Sequence, residues 1–273
     1  MRRLIINADD FGLSRSVTAG ILEAHAAGSV TSTSMMVRCA GWEDGVRQAR
    51  ATTALGVGLH FNLLVGAPLT PAPSITDRVT GRYPPLAALA LRSLMGSLDR
   101  DEIVAECEAQ LVALLEAGIN VTHIDSHRHT HALPRIHGAV ALVAARRGLP
   151  LRRPVESMRW FPGHIASQVH RALIAWAWRV TSAGVPVTRA ADHFIGVSMQ
   201  GGNRFAGRLS AVLDALPGGT TELMVHPGHV DDALRTVDAY TWQRERELAA
   251  LLSRPVGERL RRGDFALIDF AAL

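Results

Sequence analysis

The chain alternates strand-like and helix-like segments from end to end, and this alternation limits its fold more than any other feature. Apolar and β-branched runs fall at Leu4 to Ala8, Val30 to Val37, Leu55 to Phe61, Val121 to Asp125, Leu151 to Arg153, His193 to Val197, Thr221 to Val225 and Phe265 to Phe270. Between most of them, helical periodicity predicts Ser14 to Ala27, Trp42 to Arg50, Arg100 to Glu116, Pro134 to Arg147, His164 to Thr181, Arg204 to Leu216, and Thr241 to Leu252 with an extension to Arg261. Strands separated by helices pair in parallel, because the helix is the crossover. The expected class is α/β: a (β/α) barrel-like fold of seven or eight mostly parallel strands, complete or not, in preference to an open doubly wound sheet. No long Gly/Ser/Pro linker or internal repeat divides the chain, so residues 1–273 read as one domain. The stretch 66–98 breaks the rhythm with Pro68, Pro71, Pro73, Pro84 and Pro85. Lying soon after His60, it is expected to line the mouth of a pocket.

Composition excludes several classes. With 48% hydrophobic residues among 273, the chain can bury a large core. All 29 basic residues are arginine, yet the net charge is only +4 and the arginines are scattered, so no nucleic-acid-binding stripe forms. Cys39 and Cys107, the two cysteines, lie far apart and outside any CxxC pair, which leaves neither a disulfide framework nor a thiolate zinc site. The first strand begins at Leu4 without a preceding apolar leader, so a cytoplasmic protein is expected. The apolar window Ala172 to Val187 is interrupted by Arg179 and too short to span a bilayer. It reads as a core-facing helix whose Trp176 and Trp178 could also touch an amphiphilic ligand. Homo-oligomerisation stays open.

Polar residues at the ends of several parallel strands converge in space, and this chain places aspartate and histidine there repeatedly. Asp9 and Asp10 end the first strand, where a carboxylate is costly to bury without a cation or donors. One could bind a divalent cation while the other takes a proton from the cation's water; either could instead cap the helix near Ser14. His60 ends the third run, and His127, His129 and His131 follow Asp125 at the end of the fourth. Two imidazoles and a carboxylate make a three-ligand site with a position left for water. If 127–131 is extended, the three histidines share one side, and the residue order alone does not choose the ligand. His127 is favoured as nearest the strand end, with His129 or His131 as pocket or supporting groups. His226, before Pro227-Gly228, could donate a proton to a leaving group or serve as a third imidazole ligand. His25, His123, His137 and His170 read as ordinary strand or helix histidines.

Five motifs taken in order resemble the YdjC-like carbohydrate deacetylases, which include chito-oligosaccharide deacetylases and hopanoid-associated proteins. They are Asn7-Ala8-Asp9-Asp10-Phe11-Gly12, Val30-Thr31-Ser32-Thr33-Ser34, Gly58-Leu59-His60, His123-Ile124-Asp125-Ser126-His127 and Val225-His226-Pro227-Gly228. The resemblance implies a barrel-like fold and metal-dependent removal of an N-acetyl group from an amino sugar in a saccharide or glycolipid. It implies Asp10, His60 and His127 as ligands of one divalent metal, Asp9 as general base, His226 as acid, and Arg152 or Arg153 facing the pocket. Zinc, manganese, cobalt or nickel suits such a donor set; magnesium usually prefers all-oxygen shells. Phosphoester or other amide hydrolysis on a similar barrel, or sugar binding without turnover, are the competing classes. A membrane-lipid substrate would require contact with a bilayer but no transmembrane segment.

Overall fold

The computed structural model describes residues 1–156, 165–201 and 203–273. Among these the order is β1 (Arg2–Phe11), α1 (Arg15–Ala26), β2 (Ser32–Met35), α2 (Trp42–Ala51), β3 (Gly56–Phe61), α3 (Leu86–Leu94), α4 (Arg100–Glu116), β4 (Val121–Ser126) and α5 (Ile136–Arg147). It continues with α6 (Ile165–Thr181), β5 (His193–Ile195), α7 (Phe205–Asp214), β6 (Gly219–Val225), α8 (Asp232–Val237), α9 (Trp242–Leu251), α10 (Arg254–Leu260) and β7 (Ala266–Leu267). The strands form one parallel sheet in the order β4-β3-β2-β1-β6-β5, with β7 pairing the beginning of β1. This sheet curls into an incomplete barrel with helices around it. The strands are buried on both faces, as a helix-covered parallel sheet requires, which explains why they read as unbroken apolar runs rather than alternating ones. One apolar cluster draws residues from Leu4 through Phe265.

Register decides what meets at the carboxyl ends. Ala8 pairs with Val225 across β1 and β6, and His60 with Asp125 across β3 and β4. Asp9, Asp10, His60, His127 and His226 therefore stand on one rim. Close strand packing needs Gly58, where a Cβ would lie 2.3 Å from Cε1 of His123. His123 is thereby pressed flat on Phe270, ring centroids 3.8 Å apart.

Several expected elements differ. Leu151 to Arg153 is not a strand: Leu151 makes one isolated bridge to Ile124, and the ladder stops there because Arg152 O meets His131 Nε2 and Pro154 has no N–H to donate. The last strand shrinks to Ala266–Leu267, followed by a 3₁₀ turn capped by Asp269. The helix expected to run on to Arg261 breaks at Ser253, because Pro255 cannot continue it and instead opens α10. The start of the fifth predicted helix, His164, lies outside the described residues. Residues 127–132 form a 3₁₀ segment with Arg128 and His129 at positive φ (52° and 55°), so the three histidines do not share a side as an extended strand would have them. The excursion 66–98 contains α3 and is fastened to α4: Glu106 accepts hydrogen bonds from Leu69 N, Thr70 N, Thr70 Oγ1 and Tyr83 OH. No helix among the described residues is long and apolar enough to cross a membrane.

Candidate active site

The sequence Asp9-Asp10 sits where β1 leaves the sheet. Asp10 has φ of 74°, a conformation that costs a non-glycine residue roughly 1–3 kcal/mol, and the β1–β2 register slips between Ala8 and Phe11. That twist turns both carboxylates toward one cavity, although neighbours on a regular strand point apart. Neither caps a helix, since Ser14 does so through its hydroxyl, which accepts from Val17 N.

A different arginine holds each aspartate. Arg152, fully buried, gives Nη1 to Asp9 Oδ2 at 2.6 Å and Nη2 to Asp9 Oδ1 at 2.7 Å. Both oxygens of Asp9 are thus engaged. Burial pushes the Asp9 carboxyl up, but the Arg152 charge wins and holds it well below the usual carboxylate range. Arg244 gives Nη2 to Asp10 Oδ2 at 2.6 Å, leaving Oδ1 to face two imidazoles. Here too burial is outweighed, by Arg244 first and His127 next, and Asp10 stays ionised.

Asp10 Oδ1 lies 2.8 Å from His127 Nδ1 and 3.2 Å from His60 Nε2. These three donor atoms fall within 4.8 Å of one another, in a buried setting. The His60 ring is aimed by its other nitrogen, which donates to Asp125 Oδ1 at 2.7 Å and lies 3.0 Å from Ser34 Oγ. Such a carboxylate behind an imidazole fixes the tautomer that presents Nε2. Burial alone would depress His60; Asp125, with Asp10 and Asp9, instead pushes it up to about 10. A site that concentrates carboxylates until it holds a proton on imidazole is one that a divalent cation can take over by displacing that proton. The donor set fits a metal. A second cluster, Asp9, His60 and Asp125, is equally tight. It fits a cation poorly, because Arg152 already bridges Asp9 and Asp125, the latter at 2.8 Å.

The cavity in front of these groups has a volume of about 130 Å³ and is walled by Asp9, Asp10, His127, Arg128, His129, His170, Gln200, His226, Asp238, Tyr240 and Arg244. A larger cavity, about 520 Å³, lies at the opposite ends of β3 and β4 beside Gly56 and Asn120. It contains no cluster of ligating residues, so size does not mark the site here. His226 Nε2 stands 4.0 Å from Asp9 Oδ2. Its backbone N–H donates to Glu247 Oε2 at 2.6 Å, and Gln200 Nε2 lies 3.4 Å from its Nδ1.

The structure brings together Asp9, Asp10, His60, His127, His129 and His226. His129 Nδ1 finds no hydrogen-bond partner among the described residues, and burial holds the ring neutral. Three residues expected to meet substrate do not line the cavity. Arg152 lies beneath it, His131 spends its ring nitrogens on Ser126 Oγ and Arg152 O, and Arg153 turns to Asp192 O beside a separate cavity with Trp178. No cavity wall residue among those described comes from 66–98. His170, which reads as an ordinary helix histidine, is on the wall. The residue order left Arg244, Asp238, Tyr240 and Glu222 without a role. Only Glu222 carried a signal, a carboxylate inside the strand-like run Thr221 to Val225 that must find a cation; its partner is Arg152 Nε at 2.6 Å.

The chain resembles known proteins along nearly its whole length. Residues 3–262 match the family described as YdjC-like protein. A carbohydrate deacetylase of Brevibacillus brevis is 33% identical over 99% of both chains. A chitooligosaccharide deacetylase of Proteus mirabilis is 36% identical over 94% of both. A crystal structure from Enterococcus faecalis V583, described as a cellobiose-phosphate cleavage protein, superposes with a TM-score of 0.79 at 26% identity, covering 99% of this chain and 98% of that one. With the match running from β1 to the end of α10 and the relatives aligned from end to end, the chain belongs to the YdjC-like family.

Proposed function

We propose that this protein is a metal-dependent carbohydrate N-deacetylase, removing acetyl from an N-acetylglucosamine unit of a saccharide or glycolipid and releasing acetate. One observation carries the reading. Asp10, His60 and His127 converge beside a cavity that Asp10 and His127 line, together with a carboxylate with no ligand duty, Asp9, and an imidazole, His226. The names of the relatives supply the substrate class.

The cavity has room for about four waters at ~30 Å³ each. It suits an acetamido group and a water, while the sugar ring stays at the mouth near Arg128 and Tyr240. Asp10, His60 and His127 would hold the metal, with imidazole nitrogens favouring zinc, cobalt, nickel or manganese over magnesium. When bound, such an ion acidifies water and polarises a carbonyl oxygen. Asp9, held ionised and oriented by Arg152, takes the proton of the attacking water as the new C–O bond forms. The hold of Arg152 keeps Asp9 a weak base, so that proton is passed on rather than retained. His226 protonates the amide nitrogen as the C–N bond breaks, and acetate and a free amine leave.

The test is acetate release from N-acetylglucosamine oligomers by chelated protein restored with zinc, cobalt or magnesium. Release that depends on metal and disappears in His127→Ala supports the reading. A protein that binds zinc yet releases no acetate from any N-acetylated sugar would overturn it.

A further inference from the structure

Helix α6 presents an apolar face to solvent. Ile165, Val169, Leu173, Trp176 and Val180 are 82%, 54%, 58%, 54% and 55% exposed. At 100° per residue these five lie within an arc of about 80°, a continuous stripe rather than scattered side chains. The inward side of the same helix packs through Ile174 and Ala177. The expectation that this segment faces the core holds only for that inner side. Trp178 lies inside against His131 and His137, while Trp176 points out.

Charge around the stripe is one-sided. No Asp or Glu stands between Glu156 and Asp192, although the whole chain has 25 acidic residues, and Arg171, Arg179 and Arg189 fall in the described part of that stretch. Arg179 is exposed at the edge of the stripe, and Val187, in the loop after the helix, is 98% exposed. Of the flanking acids, Glu156 has a buried carboxylate that accepts from Gly196 N and Ser198 N and lies 3.9 Å from Arg171 Nε, while the exposed Asp192 accepts from Thr220 N. Helix α6 itself carries no carboxylate that could pair with Arg179 of a second copy docked on the stripe. An apolar stripe with tryptophan, edged by Arg179 on a helix that carries no acid of its own, is instead complementary to an anionic lipid surface.

We infer that the exposed face of α6 docks on an anionic bilayer. The helix also borders the candidate active site: His170 is on the cavity wall, and Ser167 Oγ donates to the carbonyl of Gln200, another wall residue. Docking therefore sets the cavity mouth near the lipid headgroups, where an amphiphilic substrate presents its sugar. The delivery step rests on the deacetylase reading; the docking itself does not.

The test is flotation of the metal-loaded protein with vesicles of phosphatidylcholine alone and with about one-third phosphatidylglycerol, at low and high salt. Binding is expected only to the anionic vesicles, weakening with salt, and falling about tenfold in a Leu173→Ser/Trp176→Ser double variant. Arg179→Glu, which removes no apolar contact, should weaken binding independently. Acetate release from a water-soluble N-acetylated oligosaccharide should be unchanged in both variants. No binding by the wild type, or equal binding by the variants, overturns the inference. So does a wild-type dimer that the double variant converts to monomers, which would assign the stripe to a second copy. Vesicle binding without acetate release from any substrate would remove the deacetylase reading and leave the docking intact.

Discussion

Arg152→Met is the most informative single change. The arginine is completely buried and neutralises Asp9, Asp125 and Glu222 through contacts of 2.6–2.8 Å. Methionine fills similar space without charge, so the variant isolates the electrostatics. Removing one member of a buried ion pair costs about 3–5 kcal/mol, because the partner is left charged in a low-dielectric interior. Three carboxylates are stranded here, although Glu222 already sits at about 7, raised by burial against the pull of Arg152, and sheds its charge most readily. A loss near the upper end of that range is expected at pH 8. The pH dependence carries the test. In the wild type, Asp9 and Asp125 have depressed values, so each stabilises the fold above its unfolded value near 3.8 and loses that contribution as pH falls. Without Arg152, burial is opposed only by the weaker pull of His60 and, for Asp9, of His226, and their values are expected to rise above 3.8. Their folded forms then bind protons more tightly, and stability falls as pH rises. Urea unfolding at pH 5 and pH 8 should show a deficit, variant against wild type, that is larger at pH 8. A deficit below about 1 kcal/mol, or one independent of pH, would refute this account of the network.

Four further outcomes are expected. Asp9→Asn should bind zinc like the wild type but lose about 10²–10⁴-fold in acetate release, read by calorimetry beside a coupled acetate assay. Arg244→Gln frees Asp10 Oδ2, held at 2.6 Å, and should weaken zinc binding about 10–100-fold in a competition titration with a chromogenic chelator. His123 and His131, whose values burial lowers to about 3, are neutral in the fold and charge in the unfolded chain below 6.5. Each should therefore remove up to about 1.4 kcal/mol of stability per pH unit on acidification from 6.5 toward 3, and His123→Phe should flatten that slope in denaturation measured at several pH values. Gly58→Ala places a methyl 2.3 Å from the His123 ring and should cost about 1–3 kcal/mol, visible as a lowered Tm.

The alternation of apolar strands and periodic helices was enough to announce a helix-covered parallel sheet, because burial on both faces leaves an unbroken apolar run that composition displays directly. The strand ends carrying Asp9, Asp10, His60, His127 and His226 were legible for the same reason: a charged or imidazole residue closing such a run has no local cause. Residue order also placed the helix starts well where a capping side chain exists, as at Ser14. What it did not contain was the orientation of neighbours. His127, His129 and His131 part company because two residues adopt positive φ, and Leu151 to Arg153 fails as a strand because Arg152 O is taken by His131 and Pro154 has no N–H to give. Arg152 looked like a group for substrate, and only packing revealed that three carboxylates surround it. Arg244, far along the chain inside α9, reaches Asp10 across a separation of 234 residues. Local sequence determines where a polar residue leaves an apolar segment; which partner neutralises it is decided by the fold, since in a low-dielectric interior a charge answers to whichever opposite charge lies within a few ångströms, however distant in the chain.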